Sequence, residues 1–179
     1  MVRSRLLKVV SALLIAALAV SACASRPGTA AVVDGRTVLE RDLSQASAEL
    51  TQVLGQQVNS QAVLQILIVA PTMIQVASRN GVSISADQAE DFLDEEAAAG
   101  GQEATDEYDP GTITVGRYLL LDNLVRSAPE GAQIGAELQE EINGLDVELS
   151  PRYGEWTPEQ GPVPVHPEWI LEPAAEQEA

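Results

Sequence analysis

The 179-residue chain has one cysteine, one histidine, one phenylalanine and 3% aromatic residues, and its single lysine is Lys8. Each scarcity excludes something. One cysteine, Cys23, allows no internal disulfide, so packing alone must hold the fold. One histidine, His166, leaves serine chemistry without a convenient base and makes no multi-ligand metal site. Beyond residue 22 every basic residue is an arginine, and removing residues 1–22 takes away three of the ten basic residues and none of the 27 acidic ones, moving the formal charge from −17 to −20. Such a chain carries no basic footprint for nucleic acid, and no polybasic patch for anionic lipid. Few aromatics with 45% hydrophobic residues mean a core of Leu, Ile, Val and Ala, which favours helices.

What is present begins with a targeting pattern. Arg3, Arg5 and Lys8 precede an uncharged run from Val9 to Ala22. As a helix that run rises about 21 Å, short of the roughly 30 Å hydrocarbon core, so it reads as a secretory signal peptide over 1–22. Val20-Ser21-Ala22-Cys23 resembles the bacterial lipobox, in which the thiol is diacylglycerylated and the signal is cut before it. With acyl chains contributing about 0.8 kcal/mol per buried CH₂, Cys23 is expected to anchor the chain in a membrane. Residues 23–30 then form a tether, and the seven after Cys23 span at most about 25 Å.

The body is expected over 31–157. Ala31–Val33 reads as a strand, Asp34-Gly35 as a two-residue turn, and Thr37 with Glu40 as a capping box opening a helix. Leu39, Leu43, Ala46, Leu50 and Val53/Leu54 mark its buried stripe. The segment from Val63 to Val76 is apolar on nearly every side, the signature of a central helix. Pro71 is expected to kink or split it, and Asn80-Gly81 to end it. Met73 on that helix is either core or the adaptable lining of an apolar groove, with core preferred.

Ser85 with Gln88 caps a third helix, buried through Ala89, Phe92, Leu93 and Ala97 and stopped by Gly100-Gly101. After an acidic loop, 102–110, an amphipathic helix runs from Ile113 to Val125. Ser127 and Glu130, with Pro129, start a last one through Ile134, Leu138 and Ile142, closed by Asn143-Gly144. Val147 and Leu149 alternate with polar neighbours as in a half-buried strand. A lone strand leaves its backbone unpaired, so it is expected to pair with Ala31–Val33 and staple the helices between the chain ends. The fold class is therefore mainly α, closed by a small antiparallel sheet. Residues 158–179 are rich in Pro and Glu and read as a tail.

The acidic stretch from Asp91 to Asp109 has the carboxylate density of a calcium loop. Starting at Asp106, the ligand positions fall on Tyr108 and Pro110 and the twelfth on Arg117, so the pattern fails and a solvated face is expected. No catalytic, cofactor or metal residue is assigned.

The order of pieces, "AVVDGRTV", a capped helix, a long apolar helix ending in "ASRNGVSIS", a further helix and a late "VELSPRYGEW", resembles the N-terminal chaperone domain of SurA/PrsA foldases. The motif positions are Asp34, Gly35, Pro151, Arg152, Tyr153 and Gly154, with Ser150 where that family usually has Asn. Many members insert a parvulin isomerase domain before the last strand. Here only one helix fits between Arg126 and Asp146, and the paired histidines of a parvulin are missing. The resemblance thus implies a non-enzymatic, lipid-anchored protein on the extracytoplasmic face of the cell membrane that binds unfolded or nascent exported polypeptides. An adaptor lipoprotein with one specific partner is the alternative, and a peptidyl-prolyl isomerase a more remote one.

Overall fold

The computed structural model describes residues 27–105 and 107–165. The signal segment, Cys23, His166 and the end of the tail lie outside the described residues. Strand β1 (Thr29–Val33) turns back through Asp34-Gly35 into β2 (Arg36–Leu39). Five helices follow: α1 (Glu40–Leu54), α2 (Ser60–Arg79), α3 (Ala86–Ala99), α4 (Pro110–Ser127) and α5 (Gly131–Asn143). Strand β3 (Val147–Leu149), a 3₁₀ turn (Pro151–Tyr153) and a hairpin of β4 (Glu155–Thr157) and β5 (Gly161–Val163) end the described chain. The protein is mainly helical with a small antiparallel sheet in the order β2-β1-β3.

Strands β1 and β3 do pair, as expected. Ala31 pairs with Leu149, Val32 with Glu148 and Val33 with Val147. The ladder continues at both ends, with Asp34 N–H donating to the Asp146 carbonyl and Ser150 N–H to the Ala30 carbonyl, each at 2.9 Å. Asp34 at φ 48° and Gly35 at φ 79° supply the paired positive φ of a tight hairpin turn. The Asp34 carboxylate also accepts from the Asp146 N–H at 3.0 Å, so one residue shapes the turn and holds the distant strand.

Several sequence expectations need correction. Thr37 caps no helix, because it sits in β2 opposite Val32; α1 starts after Leu39 without a side-chain cap, which frees the Glu40 carboxylate for other work. Ser127 likewise belongs to the last turn of α4, where its hydroxyl donates back to the Asn123 and Leu124 carbonyls, and α5 begins behind Glu130 with no side-chain cap. Strand β1 starts at Thr29, so the tether's last two residues are sheet. Residues 158–163 are not free tail: they turn and form β5, which pairs with β4 and packs against α2. Pro71 does not split α2, which runs unbroken from Ser60 to Arg79.

The capping box of Ser85 and Gln88 is made in both directions. Helix α2 is the hub, packed against α1, α4, α5 and β1. It buries Val63, Leu64, Leu67, Ile68, Val69, Ala70, Met73, Val76 and Ala77. By length and hydropathy α2 could cross a membrane, yet half of its apolar window is buried by its neighbours, as in a core helix. Of the stripe expected on α1, Leu43, Ala46, Leu50 and Val53 are buried while Leu54 is exposed.

Candidate functional site

Helix α2 carries a defect in its own backbone. Pro71 has no N–H, so the Leu67 carbonyl one turn earlier loses its usual donor within the helix. Arg36 fills the gap from outside: its Nη2 donates to the Leu67 carbonyl at 3.3 Å and to the Ile68 carbonyl at 3.4 Å. Arg36 reaches there because it follows the Asp34-Gly35 turn, at the first pair of the β1–β2 ladder opposite Val33. Burial lowers its pKa from the usual guanidinium value, opposed by the attraction of Asp34.

Beside this contact lies a pocket of about 560 Å³. Its apolar wall is Val33, Pro71, Ile74 and Leu145; Thr72, Gln75 and Ser78 add neutral hydrogen-bonding groups. Asp34, Arg36 and Arg79 complete the rim. The two arginines differ in what they already hold. Arg79 Nη2 is 2.9 Å from both Glu137 and Glu141 of α5, and these carboxylates raise its pKa. Arg36 has no carboxylate within 4.0 Å among the described residues. The size lies within the range of small-ligand sites, and an apolar wall with a few aimed polar groups is their usual make-up.

The motif residues fall at opposite ends of the β1–β3 ladder. Asp34 and Gly35 form the turn at the pocket. Pro151, Arg152, Tyr153 and Gly154 lie beyond the far end and act on α1: Tyr153 Oη donates to Glu40 at 2.6 Å, and Arg152 Nη1 donates to the same oxygen at 3.3 Å. The Arg152 guanidinium also stands 5.3 Å from the centre of the Tyr153 ring. Burial, the hydrogen bond to Glu40 and that carboxylate's charge together push the Tyr153 hydroxyl up to about 12, with Arg152 opposing. Gly154, at φ 87°, passes so close to β5 that a Cβ there would overlap the Val163 carbonyl. At Ser150 it is the backbone that acts, its carbonyl accepting from Tyr153 N–H at 2.9 Å, and its side chain forms no cap. This motif is thus a clamp between the segment after β3 and the start of α1.

Met73 is 2% exposed and belongs to the core, so it lines no groove. The acidic stretch is used in part structurally. Tyr108 Oη donates to Asp94 at 2.9 Å, and burial with this bond raises the Tyr108 pKa to about 12. Glu49 accepts from the fully buried Thr112 hydroxyl at 2.6 Å and from Asp109 N–H at 3.0 Å, while Asp109 caps α4 at Gly111 N–H. Asp91, Glu95 and Glu96 remain exposed, and the described residues contain no cluster of three or more metal-ligating side chains.

Pro71 is legible in the sequence as a helix defect, whereas the answering contact from Arg36 is not. The available signal was an arginine placed right after a tight turn, near the start of a short apolar segment. Compared with known protein families, curated proteins and solved structures, the chain matches none of them.

Proposed function

We propose that this chain is a lipid-anchored, extracytoplasmic holding protein that binds segments of unfolded or newly exported polypeptide through shape, apolar contact and hydrogen bonds, with no bond-making step. The observation that carries this is the pocket at the seam of the β1–β2 turn and α2, where apolar side chains stand beside unspent hydrogen-bonding groups. An extended peptide needs both, since its side chains seek burial and its backbone seeks partners. The resemblance to SurA/PrsA chaperone domains supports the same assignment, as does the signal pattern ending at Cys23 for the location. A large negative charge keeps such a carrier soluble between clients.

The test is whether the purified protein suppresses light scattering by several unrelated denatured proteins. No suppression at several-fold excess refutes holding. The anchor is tested by the mass of the mature chain, which should begin at Cys23 and carry a diacylglyceryl group.

One observation favours the adaptor alternative. Among the described residues the exposed large apolar side chains are only Leu54, Leu124 and Val165, which are scattered in sequence. Broad client choice usually rests on a larger apolar patch. A pull-down dominated by one envelope protein, combined with inactivity towards denatured proteins, identifies an adaptor.

A further inference from the structure

Six arginines lie among the described residues, and four of them have a carboxylate within 4.0 Å: Arg41, Arg79, Arg126 and Arg152. A fifth, Arg117, donates its Nε to the Ile84 carbonyl at 2.9 Å, away from the pocket. Arg36 is the remaining one. Only its Nη2 is engaged, with the Leu67 and Ile68 carbonyls, and its Nε and Nη1 have no hydrogen-bond partner among the described residues. A guanidinium is a rigid planar fork, so anchoring one nitrogen to a helix backbone restricts where the others aim. Here they belong to a side chain on the rim of the pocket, facing a wall of Val33, Pro71, Ile74 and Leu145.

Arg36 is an exposed residue, so its free donors are open to solvent and to a ligand. Arg117 likewise has no carboxylate within 4.0 Å among the described residues but is spent on the Ile84 carbonyl, so Arg36 is set apart by its place on the pocket rim. The one carboxylate on the same rim, Asp34, already accepts from Asp146 N–H, and it sits across the β-turn as part of the fold.

We propose that this pocket takes a short peptide segment presenting a carboxylate beside an aliphatic side chain, with Arg36 receiving the carboxylate and Val33, Ile74 and Leu145 receiving the aliphatic group. This rests on the polypeptide-binding function above and names the ligand chemistry for it. The carboxylate has two sources, a free chain end or an Asp or Glu side chain. Repulsion by the protein's acidic surface acts on encounter and is screened beyond about 8 Å at physiological salt, whereas recognition by Arg36 is at contact distance. Two charge-assisted bonds from a guanidinium fork to a carboxylate supply both attraction and direction.

The experiment is fluorescence anisotropy of labelled hexapeptides on the full-length chain in detergent micelles, with empty micelles as blank. One peptide ends in Leu-Val with a free carboxylate, the second is its amide with no other acid, and the third is the amide with Glu before Leu-Val. The first should bind saturably, the second should bind about tenfold or more weakly, and Arg36→Gln should cost the first a similar factor. Gln75→Glu, an exposed change on the rim, should weaken the first peptide by competing for Arg36, and it leaves the helix contact of Arg36 in place should Arg36→Gln fail to fold. Binding of the third peptide like the first assigns a side-chain carboxylate; weak binding assigns the chain end. Equal binding of the first two peptides, or full affinity in both variants, overturns the proposal, as does no saturable binding of any peptide. Aggregation suppression that persists while Arg36 proves irrelevant removes this inference and leaves the holding function. Arg36-dependent peptide binding without suppression does the opposite.

Discussion

Pro71→Ala should stabilise the chain slightly and make Arg36 less important to the fold. In a helix interior proline is about 3 kcal/mol less favourable than alanine, because it removes one hydrogen bond and crowds the preceding turn. Arg36 offsets part of this by donating to the Leu67 and Ile68 carbonyls at 3.3 and 3.4 Å, long contacts whose joint worth is about 1–2 kcal/mol. Replacing Pro71 restores an N–H for Leu67, but removes ring surface that is only partly buried, a loss of about 1 kcal/mol. The expected net gain is about 0–1 kcal/mol. Arg36→Met alone should then cost about 1–2 kcal/mol, and in the Pro71→Ala background about half of that or less, a coupling near 1 kcal/mol. Urea denaturation of the four proteins measures each term, the midpoints shifting while the slope stays constant. Effects of the two substitutions that add within about 0.3–0.5 kcal/mol refute the claim that Arg36 services the proline gap.

Gly154→Ala should destabilise by about 2 kcal/mol or more, since both the left-handed backbone and the Val163 carbonyl exclude a Cβ; thermal melting reads this, and an unchanged midpoint contradicts the packing of β5 described above. Asp34→Asn should be close to neutral, because Asn tolerates positive φ and keeps an oxygen for the Asp146 N–H, whereas Asp34→Ala should lose about 1–2 kcal/mol; equal melting of the two variants argues against the side-chain tie. Stability should also fall in alkali. Tyr108 and Tyr153 have folded-state pKa values raised to about 12 from 10.0, so their contribution is fully present below pH about 10 and is lost as pH rises from there through 12. In Tyr108→Phe/Tyr153→Phe that loss should be smaller when unfolding is followed across the same range, and an identical alkaline decline in the double variant rules these hydroxyls out as its source.

Local order was readable wherever neighbouring residues decide it. The Ser85 and Gln88 box, the stripe of Leu43, Ala46 and Leu50, and the Asp34-Gly35 turn all act within a few residues, so spacing alone reveals them. The caps assigned to Thr37 and Ser127 failed because a sheet partner and a continuing helix claimed those residues first. Strand β2 was hidden for a related reason: four residues are too few to show a period. The hairpin of β4 and β5 was hidden by proline-rich composition, which resembles a free tail until α2 gives it a surface.

The sequence by itself determined the helical class, the all-apolar central helix and the absence of an internal disulfide, because hydrophobic periodicity and residue counts are local or compositional properties, and it offered β1 as the partner of β3 only because a lone strand must pair. Only the tertiary structure decided that Met73 is core, that Glu40 is held by Tyr153, and that Arg36 lies against the Leu67 carbonyl left by Pro71. The first depends on which side of α2 stays open. The other two join residues 113 and about 31 positions apart, respectively, and so depend on how the sheet sets the β1–β2 hairpin and the segment after β3 against the helices.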